Sequence, residues 1–265
     1  MMNRIAQTFQ RLKAEGKKAL IPYITPEFPL KGITVPLLRE LEKAGADLVE
    51  IGIPFSDPLA DGATIQHSSE VALKHGVNIS IILEDVGEFR KRSQLPVILM
   101  GYINPILRFG IGKFMKESAA AGVDGLIIPD LPPEEAHEVR NQSSHYGISN
   151  VFLIAPTTQD ARIQKIDEYS TDFSYCVSVT GVTGARKELD MNGSLERFLR
   201  RVRQNVKKPF VVGFGISKAE HVQRVWQYAD GAVVGSALIH ALSKASTKKD
   251  ALMRAGKFLR SLKVL

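Results

Sequence analysis

Eight short runs rich in β-branched residues alternate with amphipathic helical stretches along most of this chain, and that alternation limits its fold more than any other feature. The runs are Ala19–Thr25, Leu48–Ile53, Val97–Gly101, Gly125–Ile128, Val151–Ile154, Tyr175–Val179, Phe210–Gly213 and Gly231–Val234. Between them the apolar spacing predicts helices over Pro36–Ala44, Ser80–Arg92, Gly112–Ala121, Glu134–His145, Ala161–Tyr169, Leu195–Asn205 and Lys218–Tyr228. Strict alternation requires parallel strands joined by right-handed crossovers. Eight units favour an α/β fold closed on itself, a single (β/α)8 TIM barrel, over an open doubly wound sheet. An extra N-terminal helix and extra short helices in the βα loops, such as Ala237–Leu242, complete the expectation. No linker, solenoid-length repeat or low-complexity tract divides the chain, so residues 1–265 read as one domain.

Local chemistry supports several boundaries. Gly45, Gly122 and Gly147 each follow a helical segment, where a left-handed closing residue is needed. Ser217 with Glu220 three residues later reads as a capping box. Pro96 and Pro209 stand just before strands, where a missing amide donor does least harm.

Composition removes several function classes. No run approaches the roughly 18 apolar residues of a membrane span, and Met1–Lys18 is charged and amphipathic, unlike a secretory signal. Cys176 is the single cysteine, which excludes intramolecular disulfides and fits a reducing cytoplasm. The net charge is +7, much of it from Lys244, Lys248, Lys249, Arg254, Lys257, Arg260 and Lys263. Leu252, Ala255, Leu259 and Leu262 recur there at helical spacing, so these cations read as the wet face of a docked terminal helix. Zinc-ligand spacing and aromatic–basic nucleic-acid motifs are absent. A basic surface also speeds encounter with a phosphorylated substrate.

In such barrels chemistry sits on the loops at the carboxyl ends of the strands. Three glycine-bearing stretches fall there: Thr180-Gly181-Val182-Thr183-Gly184, Gly213-Phe214-Gly215 and Gly235-Ser236. The last opens a helical segment whose free amides and positive dipole end suit a phosphate. Alternation along Leu48–Ile53 places Leu48, Glu50 and Gly52 on the inner face and Val49, Ile51 and Ile53 against the helices. An inward carboxyl loses hydration, so its pKa rises towards neutrality, where it can both give and take a proton. From position alone, a structural ion pair with a neighbouring strand accounts for Glu50 equally well. Asp61, just before Gly62, reads by itself as a turn or helix cap. Tyr175 shares a strand face with Val177 and points towards the same interior.

The stretch Glu50–Gly62, EIGIPFSDPLADG, resembles the signature of the tryptophan synthase alpha subunits. The resemblance continues in Tyr102-Ile103-Asn104-Pro105, Pro129-Asp130-Leu131-Pro132, Gly181-Val182-Thr183-Gly184, Gly213-Phe214-Gly215-Ile216 and Gly235-Ser236, in family order from about residue 20 to residue 240. It implies retro-aldol cleavage of indole-3-glycerol phosphate to indole and glyceraldehyde 3-phosphate. On the matching positions it makes Glu50 the general acid–base, Asp61 the acceptor for the indole N–H, and Tyr175 a lining residue that helps hold Glu50. Tyr23, Ile65 and Met100 become walls for the indole, and Gly184, Gly213, Gly235 and Ser236 the phosphate ligands. Residues 179–189 resemble a loop that closes over substrate.

The resemblance also implies a beta-subunit partner in an alpha2-beta2 complex, with Asp57, Pro58 and Asn104 at the interface. Pyridoxal phosphate is expected only in that partner, and no cofactor or metal in this chain. Turn chemistry is a sufficient reading of Pro58 and Asn104 without the family. The pattern lapses twice: Thr25-Pro26-Glu27-Phe28-Pro29 stands where the family usually reads T-A-G-D-P, and Val179-Thr180 where it often has an arginine.

Two alternatives are separable by sequence. A metal-dependent phosphate-binding barrel enzyme would carry histidines at strand ends, and a Schiff-base aldolase a lysine; the six histidines all lie outside the eight runs. A catalytically weak subunit that mainly activates its partner has no chemical reason to keep both Glu50 and Asp61.

Overall fold

Alternating inward and outward side chains, the period-two signal of the eight runs, become the two faces of a parallel sheet rolled into a ring. The computed structural model describes residues 3–177, 193–213 and 215–263. Its strands are β1 (Ala19–Ile24), β2 (Val49–Gly52), β3 (Val97–Met100), β4 (Gly125–Ile127), β5 (Ser149–Val151), β6 (Leu153–Ile154), β7 (Ser174–Val177), β8 (Phe210–Gly213) and β9 (Gly231–Val234). All pairings are parallel, in the order β5-β4-β3-β2-β1-β9-β8-β7-β6.

The fifth run is where sequence and structure differ. It is two strands, β5 and β6, parted by Phe152. The Phe152 amide leaves the ladder to donate to the Ser170 hydroxyl at 3.2 Å, while its carbonyl still accepts from the Tyr175 amide at 3.1 Å. β5 pairs only with β4 and β6 only with β7, so together they form the eighth stave and close the ring. The run also starts earlier than expected, because Ser149 and Asn150 are polar yet buried, their side chains bonded to Asp172 and Ser143.

Helices wrap the ring close to the expected positions. Two boundaries moved for local reasons. The helix expected from Glu134 begins at His137, after turns in which the amides of Glu135 and Ala136 return to Pro132 and Pro133. The capping box expected at Ser217 does not form: Lys218 is the cap residue without a side-chain bond, and the Ser217 amide donates to His221 Nδ1 at 3.3 Å. Short extra helices, Ile103–Phe109 and Ser236–Ser243, follow β3 and β9.

Two apolar layers result. Val49, Ile51, Leu99, Leu126, Val212 and Val234 pack outward with the helices, whereas Ile21, Leu48, Ile98, Ile127, Val211 and Val233 fill the barrel. The N-terminal helix Arg4–Ala14 inserts Ile5, Phe9 and Leu12 into that inner cluster and plugs the amino-terminal end. Arg4 and Arg90 both pair with the buried Asp124 at 2.9 Å, and Asp124 also accepts the Val97 amide, pinning the plug. The opposite end, at the carboxyl termini of the strands, is left for the site. The terminal helix Lys248–Ser261 docks through Ala255 and Leu259, with Leu262 buried just beyond it, as its apolar spacing required; Ala251 is buried on that face, while Leu252 is half-buried.

Candidate active site

β2 delivers Glu50 into the barrel as the alternation demanded: Leu48 belongs to the inner cluster, Val49 and Ile51 to the outer one. Glu50 is 1% exposed. Burial, followed by the nearby charge of Asp61, pushes its carboxyl up to about 8. A structural ion pair would instead have held it low. Among the described residues no Lys or Arg contributes to its titration, so the ion pair with a neighbouring strand is not formed there.

Asp61 comes from the loop after β2. The Asp61 amide donates to the Pro58 carbonyl at 3.1 Å, and the Asp61 carbonyl accepts from the Gln66 side chain at 2.8 Å. Gly62, not Asp61, occupies the cap position of the helix Ala63–Lys74. The carboxylate is therefore free of capping duty, which corrects the reading of Asp61 as a cap. Burial raises Asp61 to about 6, against the opposing pull of a hydrogen bond from Tyr102. Two carboxyls thus titrate on either side of neutrality in one apolar environment, the condition for an acid and a base of different strength.

Tyr102 is the residue that sequence reasoning left outside the site. It lies at the cap position of Ile103–Phe109 and is 6% exposed. Its hydroxyl accepts the Ala60 amide at 2.9 Å and donates to Asp61. Its ring packs on Phe55, with centroids 5.5 Å apart. The motif Tyr102–Pro105 was legible, but not that the tyrosine turns back onto the second loop.

Tyr23 on β1 is in register with Glu50, and Tyr175 on β7 lies across the ring from it. Burial and then neighbouring carboxylate charge raise both phenols, keeping them protonated as hydrogen-bonding groups. Each ring needs a bare α-carbon beside it. A Cβ at Gly52 would overlap the hydroxyl of Tyr23, and one at Gly213 the hydroxyl of Tyr175.

These residues stand around a cavity that is open at the mouth. Tyr23, Glu50, Asp61, Ile65, Met100, Tyr175, Gly235 and Ser236 line it. Gly213 does not: its position is covered by Tyr175, and the glycine reaching the cavity is Gly215, followed by Ile216 and Ser217. Gly235 caps the helix Ser236–Ser243, whose first amides lie at the cavity wall. Gly184 and the 179–189 segment lie outside the described residues. Among the described residues no group of three His, Cys, Asp or Glu side chains could hold a metal ion.

Asp57 and Asn104 are exposed and Pro58 is half-buried. They border two adjoining grooves outside the cavity mouth that share Phe55 and Ser56, one walled by Asp57 and Pro58 and the other by Asn104 and Pro105. Leu59 (88% exposed) and Leu73 also line these grooves.

Known proteins match this geometry along its whole length. The family model for the tryptophan synthase alpha chain matches residues 9–264. The tryptophan synthase alpha chain of Roseiflexus castenholzii is 49% identical over 263 residues, covering 99% of this chain and 100% of that one. The crystal structure of tryptophan synthase subunit alpha from Legionella pneumophila superposes with a TM-score of 0.90 at 40% identity, over 99% of this chain and 97% of that one. A chain from the tryptophan synthase a2b2 complex of Pyrococcus furiosus superposes with a TM-score of 0.85 at 42% identity, over 92% and 97%. A buried acid beside a second raised carboxyl, at the mouth of a barrel of this shape and sequence, leaves one assignment: the chain belongs to the tryptophan synthase alpha chain family.

Proposed function

We propose that this chain cleaves indole-3-glycerol phosphate to indole and glyceraldehyde 3-phosphate, with Glu50 as acid–base and Asp61 as its electrostatic partner. The observation that carries the proposal is the pairing of a dry carboxyl near 8 with one near 6 in a single cavity. At neutral pH Glu50 is chiefly protonated and Asp61 chiefly ionised. Glu50 gives its proton to indole C3, which leaves positive charge near the ring nitrogen. Asp61 accepts the N–H hydrogen bond and stabilises that charge as it develops. The carboxylate of Glu50 then removes the proton of the side-chain hydroxyl. That oxygen forms the aldehyde, and the electron pair of the carbon–carbon bond returns to the ring. Both products leave and Glu50 is protonated again, so the enzyme is unchanged.

Tyr23, Ile65, Met100 and Tyr175 wall the indole, and the amides at Gly235 and Ser236 take the phosphate. Gly184 and Gly213 stood with them in the sequence reading; the geometry favours Gly215 over Gly213. The whole chain, 1–265, acts as one domain in the cytoplasm, in keeping with its single buried cysteine and with the lack, among the described residues, of any helix long and apolar enough to cross a membrane.

A beta subunit is the partner, in an alpha2-beta2 complex, and carries the pyridoxal phosphate. Supporting this are the a2b2 assembly of the Pyrococcus furiosus relative and the exposed leucines beside Asp57, Pro58 and Asn104. Incubating the purified protein with indole-3-glycerol phosphate, alone and with a beta subunit, and following indole tests the proposal. Indole release that requires Glu50 is expected; none in either mixture sinks it.

A further inference from the structure

The loop after β1 departs from the family pattern at Thr25–Pro29, and it holds an unusual residue. Glu27 is the one non-glycine residue with positive φ (57°) among the described residues. Left-handed backbone is sterically disfavoured for an L residue, and Glu27 is also 7% exposed, a poor place for a carboxylate.

Its hydrogen bonds offset both costs. The Glu27 amide donates to Thr34 Oγ1 at 3.0 Å, and the Thr34 hydroxyl donates to the Glu27 carboxylate at 2.7 Å. The Gly32 and Thr34 amides donate to the same carboxylate. The helix Thr34–Lys43 starts at Ile33, which has no side chain able to cap it, so Glu27 supplies the missing acceptor from seven residues upstream. Burial works against ionisation of Glu27, but the Gly32 and Thr34 donors, with the Lys248 charge, hold the carboxyl below its ordinary value.

The loop so locked is fastened to the helix Ala63–Lys74 at three points. The Thr25 hydroxyl meets that of Ser68 at 2.7 Å, and Ser68 donates to the Ile65 carbonyl. The Phe28 ring meets His67 edge-on at 6.2 Å. The Glu27 carbonyl lies 2.8 Å from His75 Nδ1 at the helix end. This helix begins two residues after Asp61 and carries Ile65 into the cavity. Thr25 also bonds to the hydroxyl of Tyr23, two residues before it on the cavity side of β1.

We propose that Glu27 is a positioning residue: by locking the loop 25–34 it fixes the helix Ala63–Lys74, and through it Asp61 and Ile65, relative to Tyr23 and Glu50. The proposal rests on the cleavage reading given above. Glu27→Gly relieves the backbone and removes the carboxylate. It is expected to lower kcat about tenfold with KM changed less than about threefold, because Asp61 acts on charge that develops only in the transition state. Amide hydrogen exchange at residues 65–75 should quicken about tenfold in the same variant. Glu27→Gln keeps an acceptor oxygen and should recover kcat to within about threefold of the parent.

Parental kcat and parental exchange in Glu27→Gly overturn the proposal, as does a loss confined to KM. If Glu27→Gly does not fold, Ser68→Ala cuts the loop from the helix with Glu27 intact: kcat lowered about threefold or more supports positioning, and parental kcat overturns it. If the parent itself releases no indole, the cleavage reading fails, and exchange at 65–75 alone decides whether Glu27 governs that helix.

Discussion

The hydroxyl of Tyr102 donates to the carboxylate of Asp61 while accepting the backbone amide of Ala60, so one phenol sets both the charge and the backbone of the second loop. Phe55, packed on the same ring, lines both outer grooves. Tyr102→Phe removes the donor that holds Asp61 down. We expect kcat/KM to fall about tenfold and the acidic limb of its pH profile to move above 6. An unmoved limb would separate Tyr102 from Asp61.

Replacing Glu50 removes the proton donor and leaves the shape. Glu50→Gln should lose about 10²–10⁴ of kcat/KM while binding a non-cleavable indolyl alkyl phosphate as the parent does. Near-parental turnover would remove Glu50 from the mechanism.

The same substitution reports on stability. The folded pKa of Glu50 lies near 8, above the ordinary 4.5, so the folded state binds more protons than the unfolded one between those values. Glu50 therefore costs stability as pH rises through that window. Glu50→Gln should be more stable than the parent at pH 8 by roughly 2–5 kcal/mol, and the gain should vanish near pH 4. Thermal unfolding at the two pH values checks this.

For activity the signs combine into a bell. Asp61 must be ionised, so kcat/KM rises through about pH 6. Glu50 must hold its proton, so it falls through about pH 8. The two limbs belong to the coupled pair. Asp61→Asn removes the charge that helps to raise Glu50, so its residual activity should lose the acidic limb and show an alkaline limb below 8. A single limb in the parent would contradict the pairing.

Gly213→Ala places a methyl group where the Tyr175 hydroxyl lies. Overpacking of this kind costs about 1–3 kcal/mol, and the displaced ring should intrude on the cavity and raise KM. Unchanged melting temperature and KM would show that Tyr175 yields without consequence.

How much of this was legible in the sequence varies by residue. The inward aim of Glu50 was, because strand alternation is a property of the backbone itself, and a carboxylate between Leu48 and Gly52 has one face to occupy. The glycines near the cavity were legible as stretches, but not as to which member reaches it. Gly213 and Gly215 differ by where the Tyr175 ring falls, and that ring comes from another strand. The fifth run hid its beginning and its break, since the bonds of Ser149, Asn150 and Phe152 run to side chains elsewhere in the chain.

By itself the sequence determined the alternation of elements, the face of each strand and the family to which the chain belongs, all of which follow from local stereochemistry or local motif. Only the tertiary structure decided that Glu50 is dry beside Asp61, that Tyr102 grips the second loop and that Glu27 caps a helix it does not belong to. Protonation and positioning depend on desolvation and on distances between residues remote in the chain, and those exist only once the ring has closed.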